Sequence, residues 1–260
     1  MDSLITTKLE DSILTVTLNR PEKYNSFTES MARQLQEALS EAAGDKEVRC
    51  VLLTGEGKAF CAGQDLPEVV DKGEDYELGN TVRTSYNPII EGIRKLEKPV
   101  VCAVNGTAAG AGANIAFACD IILASDQAVF VQSFSKIGLI PDSGGTFMLP
   151  RLVGVQRANI LYMLDEKISP EQAVDMGLIY KAAGHEELMK EAREVCRKLA
   201  SMPTKGFGLY KRAINKSLNN SLDEQLELEA NLQTEAGNTH DYQEGVQSFL
   251  EKRKPEFKGK

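Results

Sequence analysis

The sequence contains no tryptophan and only two histidines, His185 and His240, in 260 residues. Both histidines stand in charged segments that we expect to be exposed, so a histidine metal site or a Ser–His or Cys–His nucleophile pair is poorly supported. The five cysteines are an odd number and include no CxxC pair. This pattern excludes a disulfide framework and a zinc ribbon, and we predict no metal.

Basic residues are in the minority, with 30 Lys and Arg against 38 Asp and Glu and a net charge of −8. Such a chain lacks the electrostatic footprint of a nucleic-acid binder, so we expect no nucleic-acid partner. A local basic patch that holds an anionic ligand is still compatible with this charge. The N-terminus has no basic segment followed by an apolar one, which predicts no secretory signal and a cytoplasmic location.

Charged residues are missing from 99–119, a run long enough to suggest a membrane span. The turn signal Asn105-Gly106 interrupts its apolar stretch. A buried strand followed by a buried helix fits this segment better, and we expect no membrane partner.

Strand and helix patterns alternate through the first two thirds of the chain. Ile13–Leu18 alternates apolar and polar residues, as in a half-buried strand, and Val48–Thr54 is apolar enough to be covered on both faces. Thr28 is a predicted N-cap of the helix between them. This alternation predicts an α/β fold.

Only helical patterns follow Gly184, at 186–201, 204–217, 221–236 and 240–252. We place a domain boundary near Lys198, between a core at 1–197 and a helical domain at 198–260.

Two strand-to-helix junctions carry small residues, Cys61-Ala62-Gly63-Gln64 and Ala109-Gly110-Ala111-Gly112. Free N–H groups at two such junctions would form an oxyanion hole if they converged. Alternatively, the glycines serve only turns and packing, and physical reasoning alone leaves both interpretations open. A dinucleotide fingerprint at the second junction is weak, because Ile115 replaces its third glycine.

Asp142 lies between Pro141 and Ser143 in a glycine-rich segment. The simplest interpretation is a cap for a helix at 144–152. The apolar residues that precede it suggest another role, since a carboxylate in such surroundings has a raised pKa and can transfer protons near neutrality.

Taken in order, these segments resemble the enoyl-CoA hydratase/isomerase (crotonase) family over nearly the whole chain. The residues that carry the resemblance are Asn19-Arg20-Pro21, Asn25, Ala59–Leu66, Asn105-Gly106, Ala109–Gly112, Cys119-Asp120-Ile121, Gly138–Asp142, Gly144-Gly145, Glu171-Gln172-Ala173 and Gly177-Leu178.

The resemblance implies a crotonase-like spiral of ββα units followed by an all-helical C-terminal trimerisation domain. It also implies homotrimers or hexamers and acyl-CoA thioester substrates, with no cofactor besides the coenzyme A of the substrate. The family's oxyanion hole falls on the N–H groups of Gln64 and Ala111, and Asp142 falls at a family catalytic position.

The departures from the family pattern indicate the reaction. Hydratases of the family use two glutamates, and here Asn114 and Phe134 stand at those positions. Hydration is therefore disfavoured. Several segments resemble the ring 1,2-epoxyphenylacetyl-CoA isomerase branch most, namely 59–66, 86–88, 135–145 and 257–260. We predict an acyl-CoA isomerase of phenylacetate or fatty-acid catabolism that moves a double bond or rearranges an epoxide.

The same resemblance implies contacts with the substrate. They fall on Lys23, Ala62, Gln64, Asp65, Leu66, Ala111, Asn114, Phe134, Phe249 and Lys252. Phe249 and Lys252 are three apart, so we expect them to share a helix face and to meet the adenine and a phosphate of the coenzyme A on an adjacent protomer. Residues 67–85 are the expected acyl-pocket wall, and their fold is not readable from the sequence.

Three alternatives stay open. One is a hydratase or another acyl-CoA lyase of the same family. Another is a non-catalytic acyl-CoA- or RNA-binding relative, which the retained Asp142 and the net charge disfavour. The third is a nicotinamide oxidoreductase.

Overall fold

The computed structural model describes residues 3–71, 73 and 76–260. The strands are β1 (Ile5–Glu10), β2 (Ile13–Leu18), β3 (Cys50–Gly55), β4 (Ala59–Cys61), β5 (Val100–Val104), β6 (Thr107–Ala109), β7 (Ile121–Ser125), β8 (Phe130–Val131) and β9 (Lys181–Ala183). The helices of the first two thirds are α1 (Glu29–Gly44), α2 (Leu66–Val70), α3 (Leu78–Thr81), α4 (Asn87–Lys95), α5 (Ala111–Ala118), α6 (Gly145–Val153), α7 (Val155–Met163) and α8 (Pro170–Asp175). Four more follow, α9 (Leu188–Ala200), α10 (Thr204–Ser217), α11 (Leu222–Gly237) and α12 (His240–Leu250).

The strands form two sheets, and from β3 to β8 successive strands alternate between them. The larger sheet has the order β1-β2-β3-β5-β7-β9, and the smaller one has the order β4-β6-β8. All neighbours are parallel except the β1–β2 pair. The pairs β3/β4, β5/β6 and β7/β8 each contribute one strand to either sheet, and this repetition produces a spiral. The predicted α/β spiral is confirmed.

Both faces of the larger sheet are buried, which explains the continuous apolar sequence of its central strands. On β3, Cys50 and Leu52 face one side and pack in a cluster with α9. Val51 and Leu53 face the other side and pack in the main core with α1, α4 and α5. A strand between two helical layers needs apolar residues at successive positions rather than alternating ones.

Several local predictions are confirmed. Strand β2 has its predicted bounds, and the Thr28 side chain caps α1 by accepting a hydrogen bond from the Met31 N–H (3.2 Å). The uncharged segment 99–119 forms β5, β6 and α5. In the part of the chain that the structure describes, no helix combines the length and apolar character needed to span a membrane.

The C-terminal third is helical, as predicted, with two differences. The predicted boundary at 197/198 falls inside α9, whose Ala192 and Cys196 pack on the larger sheet, and the division into two domains stays a prediction. Helix α12 ends at Leu250, and Lys252 has a left-handed backbone (φ 55°). The expectation that Phe249 and Lys252 share one helix face is therefore wrong.

Candidate active site

The predicted site residues gather at one edge of the smaller sheet. Gln64 follows β4, Ala111 follows β6 and Phe134 follows β8, each within three residues of the strand end. Because these strands are parallel, their carboxyl ends lie side by side. The edge of a parallel sheet where the strands end is a usual place for a ligand site.

The first junction presents the N–H of Gln64. Phe27 pairs with this segment, since its N–H donates to Gly63 O (2.7 Å) and its carbonyl accepts from the Asp65 N–H (2.9 Å). These two bonds flank Gln64 and direct its own N–H away from Phe27. Gly63 has a left-handed backbone (φ 93°), which turns the chain at this point.

The second junction presents the N–H of Ala111, the first residue of α5. The first N–H groups of a helix have no acceptor within it and carry partial positive charge. Gly110 before it has φ 53°, a conformation that suits glycine. Across residues 3–71, 73 and 76–260, neither the Gln64 N–H nor the Ala111 N–H donates to a protein atom.

The two junctions are packed closely against each other. A Cβ on Gly63 would lie 3.1 Å from Ala109 O and 3.7 Å from Ala111 N. A Cβ on Gly112 would lie 2.7 Å from Cys61 Cβ and 2.8 Å from its Sγ. The glycines therefore serve packing, and the same packing brings both free N–H groups to one place. The oxyanion role of Gln64 and Ala111 stays a prediction.

Asp65 braces the first junction. Its Oδ2 accepts from the Arg20 guanidinium (3.0 Å), and its Oδ1 accepts from the Glu68 N–H (3.2 Å) at the start of α2. Burial raises the pKa of Asp65, but the bonds from Glu68 and Arg20 outweigh it and lower the pKa below its ordinary value. This carboxylate stays ionised and holds the loop rather than moving protons.

Asp142 does not cap α6, so that interpretation is wrong. The cap residue is Gly144, with a left-handed backbone (φ 74°), and the Asp142 side chain accepts instead from Ser143 Oγ (2.9 Å). Burial raises the pKa of Asp142, and the Ser143 bond offsets part of that rise. A carboxyl with a raised pKa is a stronger base once ionised and suits proton transfer near neutrality.

Asn114 links the Asp142 turn to Gln132 by hydrogen bonds. Its Nδ2 donates to the Asp142 carbonyl (2.9 Å), and its Oδ1 accepts from Gln132 Nε2 (3.1 Å). Both ends of the amide are engaged, so Asn114 holds the Asp142 turn. The Phe134 ring is buried, and its Cζ would lie 3.7 Å from a Cβ on Gly110. It contributes an apolar surface beside the second junction.

The remaining predicted contacts lie further out. Ala62 and Leu66 are exposed next to the first junction, and Lys23 is exposed at the end of a short 3₁₀ turn (Pro21–Lys23). Phe249 borders a separate cleft of about 540 Å³, whose lining includes none of the other predicted site residues. Within one chain the structure does not bring Phe249 and Lys252 to the rest of the site.

Four residues that touch this site were not predicted to act in it. Phe27 and Tyr86 contact each other edge to face, with ring centroids 6.2 Å apart. Gln132 and Ser143 support Asn114 and Asp142. Tyr86 and Ser143 lie in segments that carry the family resemblance, but nothing in a single sequence marks their roles, because these depend on contacts between distant segments.

Comparisons with known proteins match one family over nearly the whole chain. A family model described as enoyl-CoA hydratase/isomerase matches residues 8–260. The 1,2-epoxyphenylacetyl-CoA isomerase of Escherichia coli (strain K12) is 48% identical over 100% of both chains. A Rhodobacter capsulatus protein named "Probable enoyl-CoA hydratase" is 43% identical over 97% of each. The crystal structure of an enoyl-CoA hydratase from Polaromonas sp. JS666 has a TM-score of 0.91 at 34% identity, covering 97% of this chain and 99% of that one.

Proposed function

The chain belongs to the enoyl-CoA hydratase/isomerase family and has the crotonase fold, and from this premise we propose that it is an acyl-CoA isomerase. Its reaction moves a double bond along the acyl group or rearranges an epoxide. The similarity to the E. coli 1,2-epoxyphenylacetyl-CoA isomerase supports this assignment and suggests a role in phenylacetate or fatty-acid catabolism. Coenzyme A arrives as part of the substrate.

The proposed mechanism uses the two free N–H groups and one carboxylate. The thioester oxygen accepts hydrogen bonds from the N–H groups of Gln64 and Ala111, which stabilise the enolate that forms when the α-carbon or its vinylogous position loses a proton. One such donor is typically worth about 3–4 kcal/mol of barrier. The Asp142 carboxylate takes the proton from one carbon and returns it to another, so that the net composition of the substrate does not change.

The observation that carries this proposal is the nature of the polar groups around Asp142. Asp142 is a half-buried carboxyl with a raised pKa. Asn114 has both amide ends engaged, and Phe134 has no polar side-chain atom. A single proton carrier suits isomerisation, whereas addition of water needs a group that activates the water.

A second candidate is an enoyl-CoA hydratase. The R. capsulatus relative and the Polaromonas structure, both named as hydratases, favour it. In this chain the reaction would require Asp142, or a group outside the two positions occupied by Asn114 and Phe134, to deprotonate water.

Crotonyl-CoA distinguishes the two candidates. We expect its enoyl-thioester absorbance to decline on the order of 10²–10⁴ times more slowly than a 3-enoyl-CoA is converted to its 2-enoyl isomer, because a water-activating base is missing. The two rates are measured with the same preparation, and NMR identifies the products. Fast loss of the crotonyl-CoA absorbance with formation of a 3-hydroxyacyl-CoA would favour the hydratase.

We also propose that the protein assembles as a homotrimer or hexamer in which the C-terminal helices complete the coenzyme A site of a neighbour. Phe249 and Leu250 expose 82% and 69% of their surface, which suits burial against a partner. Arg253 pairs with Glu244 and Glu251. Lys252, by contrast, pairs with no carboxylate in the described ranges, so its charge is available to a phosphate.

A further inference from the structure

Tyr86 is a buried tyrosine that packs against Phe27, next to the candidate active site. It ends a π-helical turn, Val82–Tyr86, that leads directly into α4, and only 1% of its surface is exposed. Its hydroxyl makes no hydrogen bond with any residue that the structure describes. A π-turn inserted in a helix is a feature that recurs at functional sites. A hydroxyl that no protein group engages is available to water or to a ligand.

One side of the Tyr86 ring faces the first junction. Phe27 meets the ring edge to face at an interplanar angle of 69°. Phe27 is also the residue whose backbone bonds to Gly63 and Asp65 and so directs the Gln64 N–H. Phe27 therefore lies between the Tyr86 ring and the predicted oxyanion hole.

The helix that follows Tyr86 packs near the Asp142 turn. Ile90 lies one helical turn beyond Tyr86 on the same face, and its Cγ2 would lie 3.5 Å from a Cβ on Gly144. Burial raises the pKa of Tyr86, and the nearby Cys61 and Asp142 raise it further. The hydroxyl thus keeps its proton at neutral pH and acts as a donor.

Cys61 and Asp142, which both act on this hydroxyl, have hydrogen-bond partners other than Tyr86. The Cys61 Sγ accepts from the Gly63 N–H (3.4 Å), and the Asp142 carboxylate accepts from Ser143. The Tyr86 hydroxyl bonds neither group, so it is available to an acceptor that a ligand brings to a point between the Gln64 N–H and Asp142. That point is where the first carbons of the acyl group lie in the proposed reaction.

We propose that Tyr86 is a specificity-determining residue whose hydroxyl donates a hydrogen bond to an oxygen atom of the acyl group. This inference rests on the proposed function, because it takes the acyl group to lie between Gln64 and Asp142. The substrate class that follows is an acyl-CoA with an ether, epoxide or hydroxyl oxygen close to its first carbons. A plain hydrocarbon acyl group leaves the hydroxyl unpaired, and sites built to bond a polar group discriminate strongly against analogues that lack it.

Two inert thioesters that differ by one oxygen test the proposal. Phenylacetyl-CoA and 2-hydroxyphenylacetyl-CoA have no double bond for the enzyme to move, so their dissociation constants report recognition separately from turnover. They are measured by calorimetry with the wild type, Tyr86→Phe and the matched control Tyr210→Phe, whose tyrosine is 62% exposed on α10. Thermal unfolding checks that each variant is folded.

We expect the wild type and Tyr210→Phe to bind the hydroxylated thioester roughly 5- to 50-fold more tightly than phenylacetyl-CoA. Tyr86→Phe should lose this preference while it binds phenylacetyl-CoA as the wild type does. Equal affinity of the wild type for the two ligands would overturn the proposal without any variant. A preference that survives in Tyr86→Phe would also overturn it. Neither result depends on whether Asp142 moves a proton, so the failure of this inference is distinct from the failure of the proposed isomerase activity.

Discussion

Burial and the Ser143 hydroxyl have opposite effects on the pKa of Asp142. Burial makes the Asp142 carboxylate a stronger base, and the Ser143 hydroxyl stabilises the same carboxylate with a hydrogen bond. Ser143 reaches Asp142 because its own backbone is left-handed (φ 49°). In the proposed mechanism, Asp142 must be ionised in the resting enzyme and still basic enough to accept a carbon-bound proton, and these two effects on its pKa suit both demands.

Ser143→Ala should move the acid limb of the pH profile to higher pH. The hydrogen bond from Ser143 lowers the pKa of Asp142, so its removal raises that pKa, and a larger share of the enzyme carries an inactive, protonated Asp142 at mildly acid pH. The measurement is kcat/KM for a 3-enoyl-CoA across the acid range. Ser217→Ala, which removes a hydroxyl bonded to Ile214 O far from the site, is the control and should leave the profile unchanged. A limb that stays in place or moves to lower pH would contradict this account of Asp142.

The contact between β4 and α5 is what gives the two free N–H groups a common position. Gly112 in the first turn of α5 lies against Cys61 at the end of β4. A larger residue there would push the helix start away from the strand end. The distance between the Gln64 and Ala111 N–H groups would then change, although neither residue had been altered.

Gly112→Ala should therefore lower turnover by on the order of 10²-fold or more, since a misplaced donor loses most of its stabilisation of the enolate. The control is Gly237→Ala at the end of α11, where an added Cβ meets nothing within 4 Å. That substitution should leave activity intact and change stability by less than about 1 kcal/mol. Circular dichroism and thermal unfolding show whether the Gly112 variant is folded. Full activity in a folded Gly112→Ala protein would argue against the two-donor arrangement.

The longer elements were predictable because their patterns extend over enough residues. Strand β2 and helix α10 have their predicted bounds, and both have apolar residues at the period of their structure. Strands β4, β6 and β8 have at most three residues each, too few to show a period. These are the strands that hold the site.

The errors within the site have backbone causes. Asp142 was interpreted as a cap, but the left-handed Gly144 after it caps α6, and the Asp142 carboxyl bonds Ser143 instead. Lys252 was placed on α12, but the helix ends before it. Single left-handed residues change the direction of the chain without any signal in the hydrophobic pattern. The positions of Gln64, Ala111 and Asp142 were predictable only through the ordered resemblance to a family.

The C-terminal helices leave several large apolar side chains at the surface of the chain. Helices α10–α12 expose large apolar side chains, among them Ile214, Leu222 and Phe249. A cleft of about 1440 Å³ lies between these helices and the core, and Phe117, Met148 and Ile214 contribute to its lining. Exposed apolar side chains on one group of helices suit a contact with another protein, and a second copy of the chain is the partner that the proposed trimer supplies.

A mixing experiment tests whether neighbouring chains share a site. Lys252→Ala should raise the apparent KM for an acyl-CoA with little change in kcat, because it removes a contact made equally in the ground and transition states. Asp142→Asn protomers mixed with Lys252→Glu protomers should regain activity in hybrid oligomers that bring an intact Asp142 and an intact Lys252 to one site. Sedimentation velocity gives the size of the assembly. A monomer, or hybrids without recovered activity, would place the whole site within one chain.

The most direct test of the central claim follows double-bond migration in the Asp142→Asn variant. The protein is incubated with trans-3-hexenoyl-CoA, and NMR records the position of the double bond over time, with Asp175→Asn, an exposed residue at the end of α8, as the matched control. The substitution at Asp142 removes the proton carrier and hardly changes its shape. Turnover should fall by about 10²–10⁴, while the affinity for the thioester stays within about twofold of wild type and the Asp175 variant behaves as the wild type. An Asp142→Asn protein that keeps more than about a tenth of wild-type turnover would show that another group moves the proton.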